Sequence, residues 1–245
     1  MAYQMDYAVP FESSRSERAA FIRRTYAHLA GAILAFVVIE ALIFNVLGMK
    51  TDGGRSALDN VMMHYFSSPI MPFILMIGFI GSSYLARYWA TNGGSAAMQY
   101  AGLGLYVVVE AVIFVPLLWI CTRFVPDSTN LIGQAGVLTL CLFAGLSSVV
   151  FITRKDFSFL GPILMIASFV ALGFIVCAMI FGFSLGLLFS LAMIVLAAGA
   201  ILYDTSNILH HYRMDQHVAA ALGLFASVAM LFYYVLLALM QSRRS

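Results

Sequence analysis

Charge is what this sequence has least of. Only 10% of its residues are Asp, Glu, Lys or Arg, against roughly 25% in a soluble domain, whose surface has to face water. With 62% hydrophobic residues and a mean hydropathy of +0.96, the chain cannot cover itself with polar side chains, and its solvent must be lipid. Lysine is scarcer still. Lys50 and Lys155 are the two in the chain, both in polar breaks, so no apolar segment can form a Schiff base to retinal and a rhodopsin-like photoreceptor is excluded. The cysteines, Cys121, Cys141 and Cys177, are odd in number and lie in or beside apolar runs, which suits small buried side chains and not a disulfide framework, redox centre or metal site. A net charge of +2, with its basic residues at segment ends, leaves no stripe that could follow phosphates, so nucleic acid is not an expected partner.

Long apolar runs are what the sequence does have. A helix needs about 20 apolar residues to cross the hydrocarbon layer, because lipid offers no partner to unpaired backbone amides and carbonyls. Runs of that length predict seven spans: Tyr26 to Gly48, Ile70 to Tyr88, Met98 to Cys121, Leu131 to Ile152, Phe159 to Phe181, Leu185 to Ser206 and Val218 to Met240. The expected architecture is an all-α integral membrane protein, a seven-transmembrane-helix bundle. Residues 1–24 form a polar cytoplasmic N-terminus, 25–240 a single membrane domain and 241–245 a short polar tail. The first run is too long for a cleavable signal peptide and is expected to stay as a span. Gly182-Phe183-Ser184 is the shortest break, which implies a tight hairpin between the fifth and sixth spans.

Basic loops resist translocation. Arg15, Arg18, Arg23 and Arg24 therefore hold the N-terminus inside, and alternation then places Arg87, Arg154, Lys155 and Arg213 inside against Lys50, Arg55 and Arg123 outside. Arg243 and Arg244 break the pattern if the last segment crosses, and obey it if that segment is re-entrant.

Charges at membrane depth cost about 2.5 to 3.5 kcal/mol on insertion scales and are functional candidates by default. Three acids qualify. Asp204 closes the sixth span in Ile201-Leu202-Tyr203-Asp204-Thr205-Ser206-Asn207, where it reads as a titratable gate or cation ligand, or as an interfacial acid that needs no partner. Glu110 lies mid-span, ahead of the helix-disturbing Pro116. Glu40 has no polar neighbour in sequence. Arg87, at the end of the second span, either snorkels to the interface or turns inward to pair with an acid. His210, His211, His217 and Asp215 match no standard ligand spacing. Gly182-Phe183-Ser184-Leu185-Gly186 fits the nucleophile-elbow pattern only formally, because it joins two membrane helices and not a strand and a helix. No nucleophile, base and oxyanion donor converge, so an enzyme is not expected.

Thr153-Arg154-Lys155-Asp156-Phe157-Ser158-Phe159-Leu160-Gly161 and Gly199-Ala200-Ile201-Leu202-Tyr203-Asp204-Thr205-Ser206-Asn207-Ile208, with Arg24-Thr25-Tyr26 in support, resemble the Bax inhibitor-1 family, in particular its bacterial YccA-like branch. The resemblance covers most of the chain. It implies a seven-helix bundle with a central last helix, and residence in a bacterial inner membrane. Some members are implied to act as pH-sensitive calcium leak channels, and YccA-like members to bind and restrain the membrane protease FtsH. In the channel-type members the acid of the Tyr-Asp motif faces a second acid on the last helix, and an Arg at the end of the second span interacts with the pair.

Asp204 and Arg87 match the first and third of these positions, while Ser227 stands where the second acid is expected. Glu110 and Glu40 remain as substitutes for it. Two functions follow: a cation leak with Asp204, Arg87 and Ser227 as the gate, Ca2+ or protons as the transported ion and Asp204 as the ligand of a Ca2+; or regulation of a membrane protease or other membrane machinery through helix–helix contact. Neither needs a resident cofactor.

Overall fold

A computed structural model describes residues 13–49, 55–92 and 95–243. Expectations placed on residues 1–12, Lys50 and Arg244 therefore lie outside the described residues. Among those described, every element is a helix: α1 Ser13–Leu42, continued by a π-helical turn Ile43–Leu47, then α2 Ala57–Ser67, α3 Met71–Asn92, α4 Ala96–Phe124, α5 Ser128–Thr153, α6 Leu160–Phe181, α7 Leu187–His210 and α8 His217–Ser242. Seven of them, all but α2, are long and apolar enough to cross a membrane. Each follows one expected span, except that α1 begins at Ser13, well ahead of Tyr26.

Local chemistry sets several ends. Ser95 caps α4 by accepting from the Met98 amide. Gly182, at φ 71°, closes α6 in the left-handed conformation with its N–H on the Ala178 carbonyl, which makes the tight turn into α7 possible because glycine has no Cβ to clash there. A helix absent from the expected spans, α2, forms in the polar break before α3. Its reason is a capping box: Ser56 Oγ accepts from the Asp59 amide at 3.1 Å and Asp59 Oδ2 accepts from the Ser56 amide at 3.2 Å. Leu58 and Met62 of α2 then pack on Val115 and Trp119 of α4.

Contacts at the two ends of the bundle establish the path of α8. At one end Arg18 Nη1 donates to the Tyr212 carbonyl at 2.7 Å, joining the start of α1 to the α7–α8 link. At the other, Gln241 Nε2 donates to the Leu185 carbonyl at 3.0 Å and Arg243 Nη1 to the Pro126 carbonyl at 3.4 Å. The last helix thus runs the full length of the bundle, and Arg243 lies at the end opposite the start of α1.

Within the bundle α8 is the axis. Val218 through Phe225 are all buried, so no face of its first two turns meets lipid, and α1, α4, α5 and α7 pack around it. By contrast α6 packs on α7 at the periphery, with Ala171 its one buried residue. Close approach of α3 to α4 depends on Gly102, where a Cβ would come within 2.6 Å of the Ala86 carbonyl oxygen. Small residues allow such approach where apolar surface gains nothing from leaving lipid.

Candidate functional site

Asp204 sits on α7 six residues before its end at His210, about 9 Å inside the helix terminus at 1.5 Å per residue. Across the interface with α8, Ser227 donates a hydrogen bond to Asp204 Oδ2 at 2.5 Å. Gly223, one turn earlier on α8, lies against this region: a Cβ there would stand 3.7 Å from Asp204 Oδ1 and 3.6 Å from the Tyr212 hydroxyl, ordinary contact distances. Asp204 is half-buried and Ser227 buried. The position aligned with the expected second acid is therefore a hydroxyl donor in direct contact with the carboxyl.

Arg87 comes from the last two turns of α3, and its side chain is exposed. Its guanidinium lies over the Tyr106 ring of α4 at 5.8 Å from the ring centre, a cation–π distance. It acts electrostatically on two carboxyls on different helices, Asp204 of α7 and Glu110 of α4. No salt bridge within 4.0 Å forms between Arg87 and either acid among the described residues.

Glu110 is buried one turn beyond Tyr106, with Oε2 unpartnered. Arg87, Tyr106, Glu110 and Ser227 line one cavity of about 480 Å³ together with Tyr233 and Tyr234 of α8. Glu40 stands apart: it is buried on α1 with neither carboxylate oxygen hydrogen-bonded. The structure thus brings Asp204, Ser227, Arg87 and Glu110 into one neighbourhood and leaves Glu40 outside it. Glu110 meets the cluster through Arg87, and among the described residues the side chain hydrogen-bonded to Asp204 is Ser227.

Among the described residues no three His, Cys, Asp or Glu side chains gather as a metal site. The histidines near the α7–α8 link go separate ways: His210 Nδ1 to the Ser206 carbonyl at 3.1 Å, His211 to Asp156 at 3.6 Å, and His217 against the His28 ring at 5.0 Å. The Asp156-Phe157-Ser158 motif acts on the same end of α7, where the Phe157 amide donates to Ser206 Oγ at 2.8 Å and Ser206 Oγ to Asp156 Oδ1 at 3.3 Å. The two motif segments that looked separate in sequence are therefore one joint. Tyr106, Tyr212 and Gly223 belong to the site and carried no signal in the sequence, being an aromatic, an aromatic and a glycine in apolar or loop surroundings.

A seven-helix membrane bundle wrapped around its last helix, with an acid of α7 facing that helix, defines the class. The model of the family described as Inhibitor of apoptosis-promoting Bax1 matches residues 18–244, and the chain belongs to that family. It is 35% identical over 218 residues to the Modulator of FtsH protease YccA of Escherichia coli, covering 88% of this chain and 87% of that one. It is 25% identical to Bax inhibitor 1 of Schizosaccharomyces pombe, over 92% of this chain and 77% of that one. To Protein LIFEGUARD 3 of Arabidopsis thaliana it is 27% identical, over 93% and 86%. No solved structure matches with significance.

Proposed function

We propose that the protein modulates a membrane-anchored protease of the FtsH type through contacts of its helices within the bilayer. The observation that carries this reading is the 35% identity with YccA, named as a modulator of FtsH, over nearly the whole of both chains. The Asp204 environment supports it: a carboxyl bonded to a serine hydroxyl lacks the shared-proton mechanism by which two facing carboxylates titrate as a coupled pair. On this reading the chain sits in a bacterial inner membrane with the basic start of α1 on the cytoplasmic side, where Arg18, Arg23, Arg24, Arg154 and Lys155 gather.

Co-purification from native membranes tests the proposal, together with the half-life of an FtsH substrate in cells with and without the protein. The protease should be enriched and its substrate should live longer when the protein is present. Absence of the protease from the purified material, with an unchanged half-life, ends this reading.

A second reading, a cation leak with calcium as the transported ion, is favoured by one observation: Arg87 acts on both Asp204 and Glu110 beside a cavity. In that mechanism Asp204 is the gate and ion ligand, Arg87 its closing partner and Ser227 a neutral neighbour. Calcium flux into proteoliposomes against pH, for wild type and Asp204→Asn, decides it. A wild type no leakier than protein-free vesicles at any pH removes the channel.

A further inference from the structure

The cavity that holds Arg87 and Glu110 is not enclosed by the bundle. It lies between α3 and α6, helices that pack on α4 and α7 respectively, and its floor is made by α8, α4 and α7. Its α3 wall is Met76, Phe79, Ile80 and Arg87, and its α6 wall includes Leu164, Leu172 and Ile175. The spacing on each wall follows a single helix face. Because α3 and α6 run in opposite directions along the bundle, Leu164 stands at the level of Arg87 and Ile175 at the level of Met76. Eleven residues separate the ends of each wall, about 16 Å of helix at 1.5 Å per residue. The cleft is thus long, with walls that are apolar apart from Ser168 and the cation at one end, and with Glu110 and Ser227 on its floor.

Both walls are also bilayer-facing. Ile77 and Ile80 of α3 are exposed, as are Ile163, Ile166, Phe169 and Val170 of α6. The medium outside the mouth is therefore lipid, and a volume of about 480 Å³ falls in the range of small-molecule sites. Arg87 lies five residues before the end of α3 at Asn92, near enough to the interface for its head group to meet lipid phosphates. Arg is also the side chain best matched to a phosphate, through paired N–H donors. A transmembrane helix of a partner is a poorer fit, because a cleft between two helices with a cation at one end suits a single chain carrying an anionic head.

From this geometry we infer that the α3–α6 cleft is a binding site for one membrane phospholipid, with an acyl chain laid between Ile80 and Leu172 and the phosphodiester on Arg87. The occupant is a lipid of the surrounding bilayer, which enters sideways. Bound there, it fills the gap beside Glu110 and Ser227 and holds the peripheral helix α6 to the rest of the bundle.

Native mass spectrometry of the purified full chain tests the site. After detergent exchange the protein is titrated with phosphatidylglycerol, with diacylglycerol of the same chains, and with inorganic phosphate alone. One phosphatidylglycerol per chain should bind in preference to diacylglycerol. Arg87→Gln should weaken phosphatidylglycerol binding about tenfold, the loss of a charge-assisted contact, and leave diacylglycerol binding unchanged. Leu172→Trp, which fills the cleft from the lipid-facing helix, should weaken both. Circular dichroism confirms that each variant is folded, and variants at two helices keep the test independent of either one failing to fold. Equal phosphatidylglycerol binding by wild type and both folded variants overturns the inference. So does saturation of the site by inorganic phosphate alone, or capture of a protein in place of lipid by a photo-crosslinker placed at Ile80 in native membranes.

Discussion

Ser227 of α8 donates a hydrogen bond to Asp204 of α7 across 2.5 Å, so an acid two turns inside the end of α7 is tied directly to the central helix. That bond joins the two helices most extensively packed together, which a second polar contact, Ser190 Oγ to Gln241 Oε1 at 2.9 Å, ties near their other end. Its loss has a readable consequence. Ser227→Ala leaves Asp204 Oδ2 without its donor and should destabilise the protein by about 1 to 3 kcal/mol, the cost of an unsatisfied polar group. Thermal unfolding in detergent measures it, and Ser227→Thr, which keeps the hydroxyl, should recover most of the loss.

Gly102 should be far more sensitive than Gly223 to the same substitution. At Gly102 a Cβ meets the Ala86 carbonyl oxygen at 2.6 Å and the Ala90 amide nitrogen at 2.9 Å, both backbone, so Gly102→Ala has to push α3 from α4 and carry Arg87 off Tyr106. A cost of about 1 to 3 kcal/mol is expected, as for overpacking elsewhere. At Gly223 the nearest atoms stand at 3.6 and 3.7 Å, ordinary contact distances, and Gly223→Ala should unfold within a few degrees of wild type.

The α2 latch should resist acid. Asp59 is subject to desolvation, which raises its pKa, but hydrogen bonds from Trp119 and Ser56 and the charge of Arg123 at 2.7 Å outweigh it and bring the carboxyl down to about 2. A carboxyl lowered in the folded state stabilises it above the unfolded value, about 3.9, and that contribution fades as pH falls toward the folded value. Trp119 donates to Asp59 Oδ1 at 2.9 Å, so Trp119 fluorescence should hold steady to about pH 4 and change only below. Arg123→Ala should move the change upward in pH. Ser56→Ala, which removes the cap of α2, should cost about 1 kcal/mol.

Ser206 should prove to be a joint between two segments distant in sequence. Its hydroxyl accepts from the Phe157 amide and donates to Asp156, so Ser206→Ala removes two of the bonds that hold the α5–α6 link to α7 and leaves the His211–Asp156 contact. Faster amide exchange over residues 154–159, with little change in α8, is the expected result. Unchanged exchange at Phe157 would show that the link is held by other means.

Much of this architecture was legible in the chain. The seven spans follow from the need of every backbone group in lipid for an internal partner, and run length alone located each within about a turn at most ends, α1 excepted. α2 was missed because its signal, Ser56 with Asp59 three residues on, is a short capping pattern inside a polar break. The direction of α8 was open because Arg243 and Arg244 contradict charge alternation, and only the contacts of Gln241 and Arg243 with Leu185 and Pro126 place its end.

The candidate site divides in the same way. Asp204, Glu110, Glu40 and Arg87 stood out because charge at membrane depth is costly and therefore conspicuous. Ser227, expected opposite Asp204 on the family pattern, does contact it, while Glu40 has no part in the cluster and Glu110 joins it through Arg87. Tyr106 and Gly223 could not be singled out, since neither an aromatic nor a glycine is unusual in a membrane helix.

Scarcity of charge by itself determined that this chain lives in lipid, that it crosses as helices and which few residues are costly enough to need a reason. What only the tertiary structure decided is which of those residues meet. Helices in lipid are free to rotate and slide until side chains interlock, and a sequence records each helix face without recording the face it will find. That is why Asp204 was visible from composition, and why its partnership with Ser227, and the cleft that Arg87 shares with Glu110, became known only once α7, α8, α3 and α4 were packed together.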